Sequence, residues 1–254
     1  MINLYFIGSA GSGKSSLTGA YMGWMQNHGY DAITVNLDPG IENAPYVPDI
    51  DIRDWVNIRD IMKEHGVGPN GAQILAADML AMNINEMKEI IDSFETEYVI
   101  FDTPGQMELF VLRQSGKYLV EALGAQMSMI GFLYDPLISR FPSGFISLML
   151  QAASVQVRFN VPFLGILPKS DLLVDEDREK ILDWSRDMML LDDAIHDEQP
   201  TMRSQLSIEF LSALRSFGTG QRIVPVSSAY GSGMEDIYTA AQQVFHGGED
   251  LSRD

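Results

Sequence analysis

Short apolar runs alternate with longer stretches of helical periodicity along this chain. Residues 2–7, 32–37, 98–101, 129–134, 162–167 and 222–226 are dense in aliphatic and aromatic side chains and short enough to be strands. Their near-continuous hydrophobicity is what a parallel sheet covered on both faces demands. Between them, Met87, Ile90, Ile91 and Phe94 recur at helical spacing, as do Leu206, Phe210, Leu214 and Phe217. The alternation predicts an α/β fold: a doubly wound, mainly parallel sheet flanked by helices, with ligands bound at the carboxyl ends of the strands. Two insertions interrupt that plan. Residues 41–97 carry Pro, Asn, Asp and helical pieces, and residues 172–221 read as helical throughout. With no internal repeat or low-complexity linker, residues 1–254 are expected to form one domain.

The first apolar run leads into Gly8-Ser9-Ala10-Gly11-Ser12-Gly13-Lys14-Ser15, and a helical pattern begins near Lys14. Glycines let successive backbone N–H groups converge on phosphate oxygens, and the following helix points its positive end at them. Gly11, Ser12, Gly13, Lys14, Ser15 and Ser16 are therefore candidate phosphate ligands. Lys14 would reach the β- and γ-phosphates, and the Ser15 hydroxyl would ligate magnesium. A Gly/Ser-rich turn that binds nothing is the bland alternative, and it leaves a complete GxxxxGK[ST] pattern unexplained. The pattern implies a nucleoside triphosphate.

Composition narrows the surroundings. With 46% hydrophobic and 20% charged residues, the chain suits a soluble globule. A formal charge of −18 argues against direct nucleic-acid binding, which needs clustered Lys and Arg. The absence of cysteine excludes disulfides and thiolate metal sites and fits a cytoplasmic setting. No signal peptide is expected, because the N-terminal apolar run ends at the glycine loop. The uncharged stretch between Arg140 and Arg158 contains Pro142 and Gly144, so it reads as a buried helix, not a membrane span. The 15 methionines read as core filling. Residues 175–198 hold ten acids against Arg178, Lys180 and Arg186, either a solvated helical face or a docking surface for a basic partner.

More candidate chemistry sits where other strands end. Asp102-Thr103-Pro104-Gly105-Gln106 follows the third run: Asp102 can hold a magnesium-bound water, Gly105 lets a backbone N–H approach the γ-phosphate, and Gln106 can orient the attacking water. Glu108 is a further candidate, or an exposed carboxylate at a helix start. Asp38, at the end of the second run, can join the magnesium shell or take a proton from water; as Asp38-Pro39 it also suits a turn. After the fifth run comes Pro168-Lys169-Ser170-Asp171. Asp171 can accept from guanine N1–H and the exocyclic amine, a pattern adenine lacks, while the Lys169 stem packs over the base. Ser227-Ser228-Ala229 follows the sixth run, where the Ala229 backbone can donate to the guanine oxygen.

These strings in this order resemble the P-loop GTPase superfamily, with Pro168 standing where Asn is usual. Val35-Asn36-Leu37-Asp38-Pro39-Gly40, Gly66-Val67-Gly68-Pro69-Asn70-Gly71 and Asp102-Thr103-Pro104-Gly105-Gln106-Met107-Glu108 together resemble the GPN-loop GTPases, over about residues 2–245. From the residues alone, 66–72 is a Gly/Pro loop between helices. The resemblance implies a magnesium-dependent GTPase that forms a homodimer or close heterodimer and needs no external activator. It implies that Gly68, Pro69 and Asn70 reach toward the partner's phosphates. Asp38, Asp102, Gln106 and Glu108 match positions that organise magnesium and water. The shortness of the chain resembles the archaeal branch, while eukaryotic relatives imply clients in the RNA polymerase machinery.

Three other readings compete. A dimeric ATPase of the partitioning type would carry Lys where Ser9 stands. A P-loop kinase would need an acceptor pocket and an Arg-rich lid. A nucleotide-gated chaperone platform could use the apolar stretch 145–150 as a client groove.

Overall fold

The computed structural model describes residues 1–198, 202–216 and 222–247. A parallel sheet of seven strands runs through it: β1 (Ile2–Gly8), β2 (Ala32–Asn36), β3 (Ile50–Asp51), β4 (Tyr98–Asp102), β5 (Ser128–Leu133), β6 (Phe163–Leu167) and β7 (Ile223–Pro225), in spatial order β3-β2-β4-β1-β5-β6-β7. Each of the six apolar runs became a strand. Hydrophobicity on both pleat faces suits this sheet because helices cover it on both sides. The chain moves outward to β2 and β3, returns beside β1 with β4, then crosses to β5 on β1's other flank. That reversal puts the end of β1 at the crevice where doubly wound sheets bind ligands.

The helices are α1 (Lys14–Asn27), α2 (Ile58–His65), α3 (Pro69–Ser93), α4 (Met107–Val111), α5 (Gln114–Ala122), α6 (Pro136–Ser139), α7 (Pro142–Phe159), α8 (Asp175–Arg186), α9 (Met188–Asp197), α10 (Met202–Ser216) and α11 (Met234–His246). On one sheet face, Leu17, Tyr21 and Met25 of α1 pack with Ile237, Tyr238 and Ala241 of α11. The opposite face collects residues of both insertions into one core, among them Ile61, Leu80 and Ile84 from the first and Ile181, Leu191 and Leu211 from the second. Tyr5 of β1 and Phe101 of β4 stack under that core with centroids 4.3 Å apart.

Two expectations need correction. The edge strand β3 lies inside the first insertion; with only two residues it carries no readable run. On α10, Leu214 is buried, but Leu206 and Phe210 are 52% and 45% exposed. The helix instead turns Ser204, Ser207 and Leu211 inward, because small serines allow close approach to the neighbouring helix α7. Phe217, assigned to the same stripe, lies outside the described residues. The uncharged stretch is α7, with Phe145, Ile146, Leu148 and Met149 buried, and among the described residues no helix is long and apolar enough to cross a membrane. The acids of α8 form a solvated face that pairs with its own cations, as in Arg178–Asp175 at 2.9 Å and Lys180–Glu176 at 2.7 Å.

Candidate functional site: a phosphate cradle beside a base pocket

At the end of β1 the chain curls back on itself. Gly11 and Gly13 take φ of +76° and +105°, left-handed values that strain any residue with a Cβ, so only glycine closes this loop cheaply. Lys14 opens α1 and is almost fully buried; its ammonium donates to the carbonyls of Gly8 and Ser9, both at 2.9 Å. Burial pushes its pKa down, while Asp102 and Asp38 pull it back up. Ser12 is buried with a hydroxyl that has no partner, Ser15 is half-buried, and Ser16 is exposed at the rim of the neighbouring cavity.

Asp102 ends β4 directly beside β1, in register with Phe6 and with Asn36 of β2. It is fully buried: one carboxylate oxygen, Oδ2, accepts from the Tyr46 hydroxyl at 3.1 Å, and Oδ1 has no hydrogen-bond partner. Asp38 stands on the same rim. Its Oδ1 accepts from Gly40 N–H and its Oδ2 from Gly105 N–H, both at 2.9 Å. The strand end beneath it is braced: Asn36 donates to Asp51 at 2.9 Å and receives the Asp38 N–H at 3.0 Å, and Arg53 clamps Asp51. Arg53 also reaches the Ile41 carbonyl at 3.0 Å.

Burial raises the Asp102 carboxyl from 3.8 to about 6, with Ser15, Tyr46 and Lys14 pulling it partly back. An acid raised on folding weakens the folded state as pH climbs from the unfolded value through the folded one, and the penalty is complete above both. Asp102→Asn is therefore expected to stabilise the nucleotide-free protein by about 1–3 kcal/mol near pH 8, with the gain vanishing toward pH 4. Urea unfolding of both proteins at the two pH values measures it.

The donor set fits a hard divalent cation. A buried carboxylate oxygen without a partner, near a serine in the first turn of a helix, suits a metal-bound water and a direct hydroxyl ligand. Among the described residues no cluster of three or more His, Cys, Asp or Glu could hold a metal. Most ligands here would therefore come from phosphate and water, as magnesium prefers.

Beside the cradle lies a cavity of about 580 Å³ lined in part by Gly13, Ser16, Pro168, Lys169, Asp171 and Ala229. Two strand ends build it. Ser170 N–H donates to Val226 O at 3.0 Å and Val226 N–H to Leu167 O at 2.8 Å, so the segments that leave β6 and β7 are hydrogen-bonded to each other. Lys169 sits at φ +52° with its ammonium on the Gly11 carbonyl at 2.7 Å, and its stem lies alongside Gly13. That contact ties the loop after β6 to the glycine-rich loop without help from Pro168. Asp171 and Ala229 are exposed toward solvent at the cavity.

Gln106 caps the start of α4 through its backbone, and Glu108 lies in the first turn; both side chains are exposed. The Gly-Pro-Asn string differs from a free loop. Gly68 is the N-cap of α3, and Pro69 and Asn70 form its first turn, where proline lacks no needed N–H and has the right φ. All three residues are exposed. Pro69 and Gln73 line a second cavity, of about 430 Å³, with Pro39, Gly40 and Arg53, so this helix start lies on the rim that carries Asp38. Sequence reasoning missed Tyr46, Asn36, Asp51 and Arg53. The signal was Pro45-Tyr46-Val47-Pro48 followed by Asp51 and Arg53: an aromatic held between prolines, then a charge pair in a strand-like setting.

Fold and site together define a P-loop nucleotide-binding protein. The family model described as "Conserved hypothetical ATP binding protein" matches residues 6–247. The chain is 32% identical over 240 residues to the GPN-loop GTPase PAB0955 of Pyrococcus abyssi, covering 94% of this chain and 95% of that one. It is 34% identical over 229 residues to GPN-loop GTPase 3 of Kluyveromyces lactis, covering 87% and 83%. The apo crystal structure of PAB0955 superposes with a TM-score of 0.86, over 96% of this chain and 98% of that one. The chain belongs to the GPN-loop GTPase family.

Proposed function

We propose that this protein binds GTP with magnesium and hydrolyses it to GDP and phosphate, working as a homodimer in the cytoplasm. The observation that carries the reading is the convergence of Lys14, Ser15, Asp38, Asp102 and Gly105 on one rim beside a base-sized cavity holding Asp171. The matching family model is described as ATP-binding and the relatives as GTPases. Asp171 favours guanine, whose N1–H and amine satisfy it, whereas adenine would leave it unpaired. A partitioning-type ATPase would place a lysine at Ser9 and has no use for this carboxylate.

In this reading the backbone of residues 11–16 and Lys14 hold the phosphates, and Ser15 and Asp102 hold the metal. Magnesium, when bound, neutralises charge on phosphate oxygens and fixes their orientation. Gly105 N–H, now given to Asp38, is the donor a γ-phosphate would compete for. That competition frees the Asp38 carboxylate to orient water or take its proton. Gln106 and Glu108, exposed at the start of α4, are within the same strand-end segment and would orient the nucleophile. Such transfer depends on positioning and charge stabilisation, so neutral groups suffice for a slow switch.

The exposed helix start at Gly68, Pro69 and Asn70 supports a role across a dimer, where Asn70 would reach the partner's phosphates. Asn70→Ala is expected to leave GTP affinity within about twofold and to slow hydrolysis about 10- to 100-fold, the scale of one positioned polar group. Phosphate release under single-turnover conditions measures it, and unchanged turnover removes the residue from the mechanism. Mixing Asn70→Ala with Lys14→Ala subunits leaves one intact pocket facing one intact loop, so activity returns in the mixed dimer. No recovery in a purified mixed dimer overturns the exchange.

A second reading, an assembly switch whose client is a protein such as RNA polymerase machinery, draws on one observation. Ile146, Leu150, Leu206 and Phe210 line an apolar groove of about 480 Å³ between α7 and α10. Binding of a hydrophobic dye that changes between GDP and a non-hydrolysable GTP analogue supports it.

A further inference from the structure

We propose that Tyr46 is a positioning residue for the metal, orienting Asp102 so that a single carboxylate oxygen faces it. The inference rests on the reading of Ser15 and Asp102 as the metal's seat. Three observations carry it. The Tyr46 hydroxyl donates to Asp102 Oδ2 at 3.1 Å, while Oδ1 of the same buried carboxylate has no partner. One oxygen is thereby fixed by the protein and the other is left free, which is how outer partners orient metal-site ligands.

The tyrosine is also held in place by its own segment. Pro45 and Pro48 flank it at close range and restrict the backbone on either side. Upstream, Arg53 ties down the Ile41 carbonyl at 3.0 Å. Downstream, Asp49 Oδ2 accepts from Thr34 N–H at 2.7 Å and from the Thr34 hydroxyl at 3.0 Å, anchoring the segment to β2.

Third, α1 makes room for it. A Cβ at Gly19 would lie 3.1 Å from Tyr46 Cβ and 3.6 Å from the Pro45 carbonyl, so the absent side chain lets the segment rest on α1, the helix whose first turn holds Ser15. The phenol is thus gripped from the helix below and from both ends of its own loop.

The test is the ratio of GDP affinity with magnesium to GDP affinity in EDTA, read with a fluorescent GDP analogue for wild type, Tyr46→Phe, Asp102→Asn and the double variant. Wild type is expected to bind more tightly with magnesium. Tyr46→Phe removes one oxygen and keeps the ring; it should lower the ratio about tenfold and leave affinity in EDTA within about twofold, which also reports an intact pocket. In the Asp102→Asn background the same change should do nothing further to the ratio, since the hydroxyl acts through that carboxylate. Equal losses with and without magnesium would make Tyr46 a packing residue and overturn the proposal. A rise in the ratio would overturn it too, because the hydroxyl would then be standing in the metal's way. A wild-type protein with no magnesium dependence would instead defeat the metal reading itself, and this inference with it.

Discussion

Lys14→Ala is expected to lower affinity for GTP by about 1,000-fold or more, about 4 kcal/mol. In the free protein this ammonium is already desolvated and held by two carbonyls, of Gly8 and Ser9 at 2.9 Å. Its burial cost is therefore met before the nucleotide arrives, and the phosphates gain charge-assisted hydrogen bonds worth about 1.5–3 kcal/mol each. Removing it also leaves Asp102 and Asp38 facing the incoming phosphates without a cation between them. Both effects act in the same direction. Titration calorimetry with GTP measures the loss, with circular dichroism confirming the fold; affinity within tenfold of wild type would take Lys14 out of the phosphate site.

Asp171→Asn is expected to lower GTP affinity by about 100- to 1,000-fold and to admit xanthosine triphosphate. A carboxylate accepts from both N1–H and the C2 amine of guanine, and an amide cannot accept twice, so one hydrogen bond is lost and the other loses its charge assistance, at about 1–3 kcal/mol each. Xanthine carries an oxygen at C2, which the new amide N–H2 satisfies. The cavity offers no second carboxylate: Pro168 and Leu172 are apolar, Ser16 and Ser228 carry neutral hydroxyls, and Lys169 is already committed to the Gly11 carbonyl. Competition of GTP, ATP and xanthosine triphosphate against a fluorescent nucleotide reads the switch. An unchanged preference for GTP would move base recognition away from Asp171.

The sheet was legible because its strands are buried on both faces and therefore nearly all apolar, as in residues 98–101 and, apart from Asn3, in residues 2–7. The phosphate loop was legible because its geometry is local: strand, two glycines at positive φ, then a helix opened by Lys14. What escaped depends on contacts distant in sequence. Tyr46 and Asp102 are 56 residues apart, and nothing in either local pattern announces their hydrogen bond. The strand β3 is held by pairing with β2 and not by its own two residues. The face of α10 was misread because hydrophobicity favoured Leu206 and Phe210, whereas close helix packing favoured Ser204 and Ser207. At Gly68-Pro69-Asn70 the glycine and proline suggested a loop, yet the same pair is a sound way to begin a helix.

The bond from Lys169 to the Gly11 carbonyl, at 2.7 Å, has a mechanical meaning. It spans 158 residues of chain and links the loop after β6 to the glycine-rich loop after β1, so a displacement of either one must break or carry this contact. The strut is in place before any ligand arrives, so a ligand that shifts one loop is expected to shift the other through it. Polyphosphate and nucleoside competition against a fluorescent nucleotide would show whether the two loops respond together.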